Sequence, residues 1–118
     1  MAPRRKAPRK FVPEDIDQAM AFHRPRVRRI QLWRRINRGR PGRWMHVGRF
    51  GVGERGELLQ AIEKRFGGGI YRCKLLGPWL PDKGRDAFLQ QLTFRIHGAP
   101  THETARRLEQ LGYRTPVV

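Results

Sequence analysis

Three short runs of this sequence set basic and aromatic side chains at alternating positions. Arg29, Gln31, Trp33 and Arg35 lie two apart in V-R-R-I-Q-L-W-R-R-I, Arg72 and Lys74 in I-Y-R-C-K-L-L, and Gln91, Thr93, Arg95 and His97 in the run from 87 to 97. A period of two puts each set on one face of a strand. Guanidinium groups there pair with phosphate oxygens two at a time. A flat indole beside them accepts an unstacked base, worth roughly 1–3 kcal/mol per base. The alternative for a strand tryptophan is to cover the sheet against a helix or tail, here a helix over 13–23.

The other reactive side chains form no such pattern. His23, His46, His97 and His102 lack metal-ligand spacing, and one cysteine, Cys73, excludes zinc-finger ligation and an intrachain disulfide. Alternation turns Cys73 inward, as a small buried hydrophobe rather than a nucleophile. Asp82 and Asp86 sit among basic residues and suit salt bridges better than acid–base work. G-V-G-E-R-G at 51–56 lacks the lysine and hydroxyl of a phosphate-binding loop and does not fit the dinucleotide fingerprint. The reading is therefore non-enzymatic, with no cofactor and no metal.

Charge narrows the partner. The chain has 118 residues, with 26 basic and 10 acidic side chains and a net charge of +16. Its first fifty residues hold 15 of the basic and 3 of the acidic groups. Such an excess repels itself and needs a counter-charge, so a polyanion is the expected partner, DNA or RNA, with single strands favoured. A merely solvated surface and an anionic membrane are the competing explanations; no membrane association is expected. No apolar run approaches the roughly 18 residues that span a bilayer. The start, M-A-P-R-R-K-A-P-R-K, has no hydrophobic segment behind it and does not read as a secretory signal. The lone cysteine fits a reducing compartment, and the expected location is the cytoplasm.

The elements that position these groups follow in order. Residues 1–12 read as a disordered basic arm, since Pro3 and Pro8 oppose a helix and the charges oppose burial. Pro13, Glu14 and Asp15 start a short helix with Ile16, Ala19, Met20 and His23 on one stripe, ending near Arg24 before Pro25. His23 there reads as a C-terminal cation. A strand over 27–36 turns Ile30, Leu32 and Ile36 inward, with Arg34 interrupting that face near its edge. N-R-G-R-P-G-R at 37–43 is a turn, and 44–50 a second strand with either Met45 and Val47 or Trp44 and Phe50 inward. Gly48 suggests a bulge or a close approach.

The stretch E-K-R-F-G-G-G-I-Y-R, residues 63–72, joins the two halves. Before it, Leu58, Leu59, Ile62 and Phe66 make a helix over 57–66, and Gly67 to Gly69 let the backbone reverse. After it, 70–76 is a strand with Tyr71, Cys73 and Leu75 inward, and 77–86 is turn-rich, its Trp79 either folded onto the core or presented to a partner. Residues 87–97 form a strand with Leu92, Phe94 and Ile96 inward, stopped by Gly98 and Pro100. Thr101 caps a last helix that carries a Glu103–Arg107 pair and ends at Gly112.

The expectation is an α+β fold, an antiparallel four-stranded sheet of two hairpins with helices on one face, in a single domain over 13–118. The nucleic-acid contacts expected are Arg4, Arg5, Lys6, Arg9 and Lys10 in the arm; Arg26, Arg28, Arg29, Arg38, Arg40 and Arg43 about the first hairpin; and Trp33, Arg35, Trp44, Arg72, Lys74 and Arg95 on the open face. R-F-G-G-G-I-Y-R, with T-F-R-I-H-G-A-P further on, resembles a pattern in small basic phage proteins. It covers about half the chain, implies a viral nucleic-acid-associated or virion protein located in the host cytoplasm or the virion, and transfers no binding residues. Another reading is a virion or assembly subunit, homo-oligomeric, whose basic arm holds a packaged genome. A third is a ribosome-associated protein.

Overall fold

Two hairpins build the sheet because their strands alternate and the residues between them turn. The structure, a computed structural model, describes residues 9–10 and 13–113. Strand β1 (Arg9–Lys10) precedes helix α1 (Pro13–Phe22). The first hairpin is β2 (Arg29–Arg35) and β3 (Trp44–Gly51); the second is β4 (Gly67–Leu80) and β5 (Arg85–Pro100). Between the hairpins lies α2 (Arg55–Gln60), which widens into a π-helical segment over Ala61–Phe66, and α3 (His102–Gln110) follows β5. The strand order is β1-β5-β4-β2-β3, antiparallel except for β1, which pairs parallel with β5 through Arg9 opposite Phe94 and Lys10 opposite Arg95. Apart from those two residues, the expected arm over 1–12 lies outside the described residues.

The helices cover one face. Ile16 and Ala19 of α1, Leu58 of α2, and Ala61, Ile62 and Phe66 of the π-helical segment share one core with Ile30, Leu32, Tyr71, Cys73, Leu75 and Phe94 of the sheet. Tyr71 and Phe94 stack across β4 and β5 with ring centroids 5.8 Å apart. At the far end, Thr101 accepts from the Thr104 amide at 3.2 Å and donates to Arg65 O at 2.7 Å. The buried Thr104 hydroxyl donates to Phe66 O at 3.0 Å. One hydroxyl thus caps α3, and both terminate the π-helical segment, whose last carbonyls lack partners of their own. Gly112, at φ 91°, closes α3, with Gly112 N donating to Glu109 O and Tyr113 N to Leu108 O, each at 2.9 Å.

Bulges account for most departures from the expected spans. In β2–β3, Leu32 faces Gly48 but Trp33 faces His46, so Val47 is an extra residue. The two candidate faces of β3 therefore do not compete: Met45, Val47 and Phe50 all pack on the core, while Trp44 and His46 turn away. The strand expected at 70–76 runs on to Leu80, leaving only 81–84 as the turn. Pro78, which cannot donate to a ladder, falls where the register with β5 slips between Leu76 and Trp79. β5 ends at Pro100, as expected; Gly98 does not stop it but lies in a bulge in which 97–99 stand opposite Gly68 alone. The expected Glu103–Arg107 pair is replaced by a bridge from Glu103 to Arg65 at 3.3 Å, and His23 hydrogen-bonds Gln90 Oε1 at 2.9 Å.

Candidate nucleic-acid interface

The face of the sheet turned away from the helices is fixed by register. Trp33 stands between Arg72 on β4 and His46 on β3; Arg35 faces Trp44; Gln31 lies between Lys74 and Arg49; Thr93 faces Arg72, and Arg95 faces Ile70. Towards the hairpin tip the same face carries Leu76 opposite Phe88, and Trp79 opposite Asp86. Trp79 is 60% exposed and Phe88 52%, so the open question over Trp79 resolves to the surface. All three tryptophans of the chain lie on this one face.

Cations and rings are in contact along it. The Arg72 guanidinium lies 4.2 Å from the Trp44 ring centroid, and Lys74 Nζ lies 5.1 Å from that of Trp33. Trp33 and His46 meet edge to face at 5.4 Å. Each cation–π contact contributes about 0.5–1 kcal/mol at such exposure and orients the ring. A base stacking on Trp33 or Trp44 must use the rest of the ring surface or displace the cation. Either event changes the indole environment.

Carboxylates stand elsewhere. Among the described residues they lie on α1, on and just before α2, in the π-helical segment, in the 81–84 turn and on α3; Asp86 is the sole exception on a strand. Asp86 pairs with Arg29 at 3.2 Å, which removes part of that arginine's charge from a phosphate role. Asp17 binds Arg55 through two contacts of 2.7 and 3.0 Å, tying α1 to α2 on the helical side.

The remaining expected contacts divide by place. Arg4, Arg5 and Lys6 lie outside the described residues, and Arg9 and Lys10 are placed only through their backbone pairing to β5. Arg26 and Arg28 are exposed between α1 and β2, Arg28 donating to Pro25 O at 2.6 Å. Arg38, Arg40 and Arg43 are exposed in the β2–β3 connection, with Arg43 5.7 Å from the Tyr113 ring centroid. Arg35 donates to Gly39 O at 2.7 Å. The structure thus gathers Trp33, Arg35, Trp44, Arg72, Lys74 and Arg95 on one surface, with Arg29 at its ion-paired end. The Arg26–Arg28 and Arg38–Arg43 groups belong to separate connections.

Two residues escaped the sequence reading: Arg49 and Phe88 join the open face beside Trp79, each after a bulge that shifts the alternation. Arg34 lies on the core face, as its break in the alternation indicated, 6% exposed and next to last in β2. It donates to Gly68 O at 2.6 Å and to Arg35 O at 2.8 Å. Burial lowers its pKa, with Tyr71 opposing. Burial likewise pushes the Tyr71 hydroxyl up to about 12, against the pull of the Arg34 charge, and the Cys73 thiol up to about 12. A buried thiol held neutral is a poor nucleophile. Among the described residues no cluster of metal-ligating side chains occurs, and no helix is long and apolar enough to cross a membrane.

No family model, curated protein or solved structure matches the chain.

Proposed function

We propose that the open sheet face binds nucleic acid, single strands in preference to duplex, without catalysing a reaction on it. The observation that supports this is the interleaving of Arg35, Arg49, Arg72, Lys74 and Arg95 with Trp33, Trp44 and Trp79 on a surface where, among the described residues, the one carboxylate, Asp86, is already paired. Phosphates meet the cations, and splayed bases meet the rings. Backbone contacts dominate, so affinity is high in charge and low in sequence preference. The resemblance to small basic phage proteins adds a viral setting, in the host cytoplasm or the virion, to the same proposal.

The test is binding of a labelled single-stranded oligonucleotide over a salt series. With roughly five phosphates engaged, log affinity falls against log salt with a slope of about −3.5. A flat line rejects the proposal. Assembly into a discrete large particle in the absence of nucleic acid, seen by size exclusion, points instead to the virion-subunit reading.

A further inference from the structure

The end of the sheet holds a groove of about 780 Å³ where β2, β4 and β5 finish beside α3. Arg34, Arg35, Arg38, Arg95, His97 and Tyr113 are among the residues lining it, and among the described residues no carboxylate lines it. Arg34 is the unusual wall. It is a cation almost wholly removed from water that donates to two backbone carbonyls and lies beside the Tyr71 hydroxyl, and among the described residues no carboxylate pairs with it. An uncompensated buried charge costs several kcal/mol. The Nε donors of Arg34 and Arg35 are both buried without an acceptor.

The backbone is shaped to hold that arginine. A Cβ on Gly69 would lie 2.5–2.7 Å from the Arg34 guanidinium, so only glycine leaves it room. Opposite, the 97–99 bulge takes β5 out of regular pairing beside the same groove. Four guanidinium groups around one concavity without acid form a seat for a dianion with several acceptor oxygens, which is a phosphate monoester better than a carboxylate. The volume suits a small organic ligand rather than a bare ion. Tyr113 supplies an aromatic residue to its lining.

We propose that this groove seats a phosphate-terminated nucleotide, the phosphorylated end of the strand whose body lies on the open face. Arg35 and Arg95 belong to both surfaces, so a strand running along the sheet reaches the groove without a break. The inference rests on the proposed nucleic-acid role for its strand-end source, and the groove chemistry alone also admits a free nucleotide.

Titration calorimetry with five probes tests it: one oligonucleotide sequence carrying a 5′-phosphate, a 3′-phosphate or hydroxyl ends only, and a nucleoside monophosphate against its nucleoside. One phosphorylated end should bind at least about tenfold tighter than the hydroxyl-ended strand. Arg38→Ala, at an exposed residue outside the packed sheet, should reduce that advantage, read as the ratio of phosphorylated to hydroxyl-ended affinity, at least about threefold. Arg34→Lys, checked for folding by its unfolding midpoint, should remove it. Monophosphate binding with no strand binding supports the groove with a free nucleotide as its source and overturns the sheet-face role instead. Equal affinity for all three strand ends, with no preference for monophosphate over nucleoside, overturns the groove proposal and leaves the sheet-face role standing.

Discussion

Arg34, Tyr71 and Cys73 show what single side chains contribute. Arg34 falls in the apolar alternation of β2, where Ile30 and Leu32 precede it. The sequence displayed that break plainly. What it did not display was the acceptor, because Gly68 O is reached only through the β2–β4 pairing. Tyr71 and Cys73 were legible as core residues from period alone. Their burial makes a pH prediction. The unfolded chain ionises Cys73 near 9.0 and Tyr71 near 10.0, whereas both groups in the fold wait until about 12. Their contribution to stability is therefore constant below about pH 9 and is lost as pH rises from there towards 12, at up to about 1.4 kcal/mol per pH unit for each group. Urea midpoints from pH 8 to 11 should be level and then fall. A midpoint unchanged at pH 11 contradicts the burial. On the outer face, Trp33→Ala should weaken single-strand binding by roughly 1–3 kcal/mol and duplex binding by much less, measured by fluorescence anisotropy. Equal losses on both would reject stacking at this ring.

Elements were legible in number and order, and their ends were not. The four strands and three helices expected all formed, the middle helix widening into a π-helical segment. Their boundaries moved wherever a bulge inserted residues, since one extra position exchanges the faces of everything beyond it. Val47 is the example: a strictly alternating β3 cannot bury Met45 and Phe50 together, and the bulge lets it. The triple glycine was read as a reversal, and Gly67 at φ 77° and Gly69 at φ 151° bear that out. Its tighter role is steric. A Cβ on Gly68 would stand 1.8 Å from Gly98 O. Gly68→Ala must therefore part β4 from β5 and should cost more than about 3 kcal/mol, if the protein folds at all. Gly56→Ala provides the opposite sign. That glycine lies inside α2, its added Cβ meets nothing, and the substitution should stabilise by about 0.5–1 kcal/mol. Chemical denaturation of the pair measures both. Equal effects would mean that the β4–β5 approach is not tight.

At the scale of the molecule, net charge and a cationic sheet face were legible, but the placing of the acidic groups was not. A value of +16 says only that a counter-charge is needed. The fold adds that acidic groups gather on the helical side while the sheet exposes arginine, lysine and indole on the other, an arrangement that no count of residues contains. Long-range pairing creates it, bringing Arg72 beneath Trp44 from 28 positions away along the chain. The same pairing leaves all three tryptophans on the proposed binding surface, so indole emission reports on that surface and on no other part of the protein. The most direct measurement is accordingly a titration of the full chain with a single-stranded oligonucleotide at low and high salt, followed by tryptophan fluorescence together with anisotropy of the labelled strand. The account predicts that quenching and binding rise together, that both weaken steeply at high salt, and that quenching shrinks in Trp33→Ala. Binding that leaves the indole emission unchanged, or no binding at low salt, would contradict it.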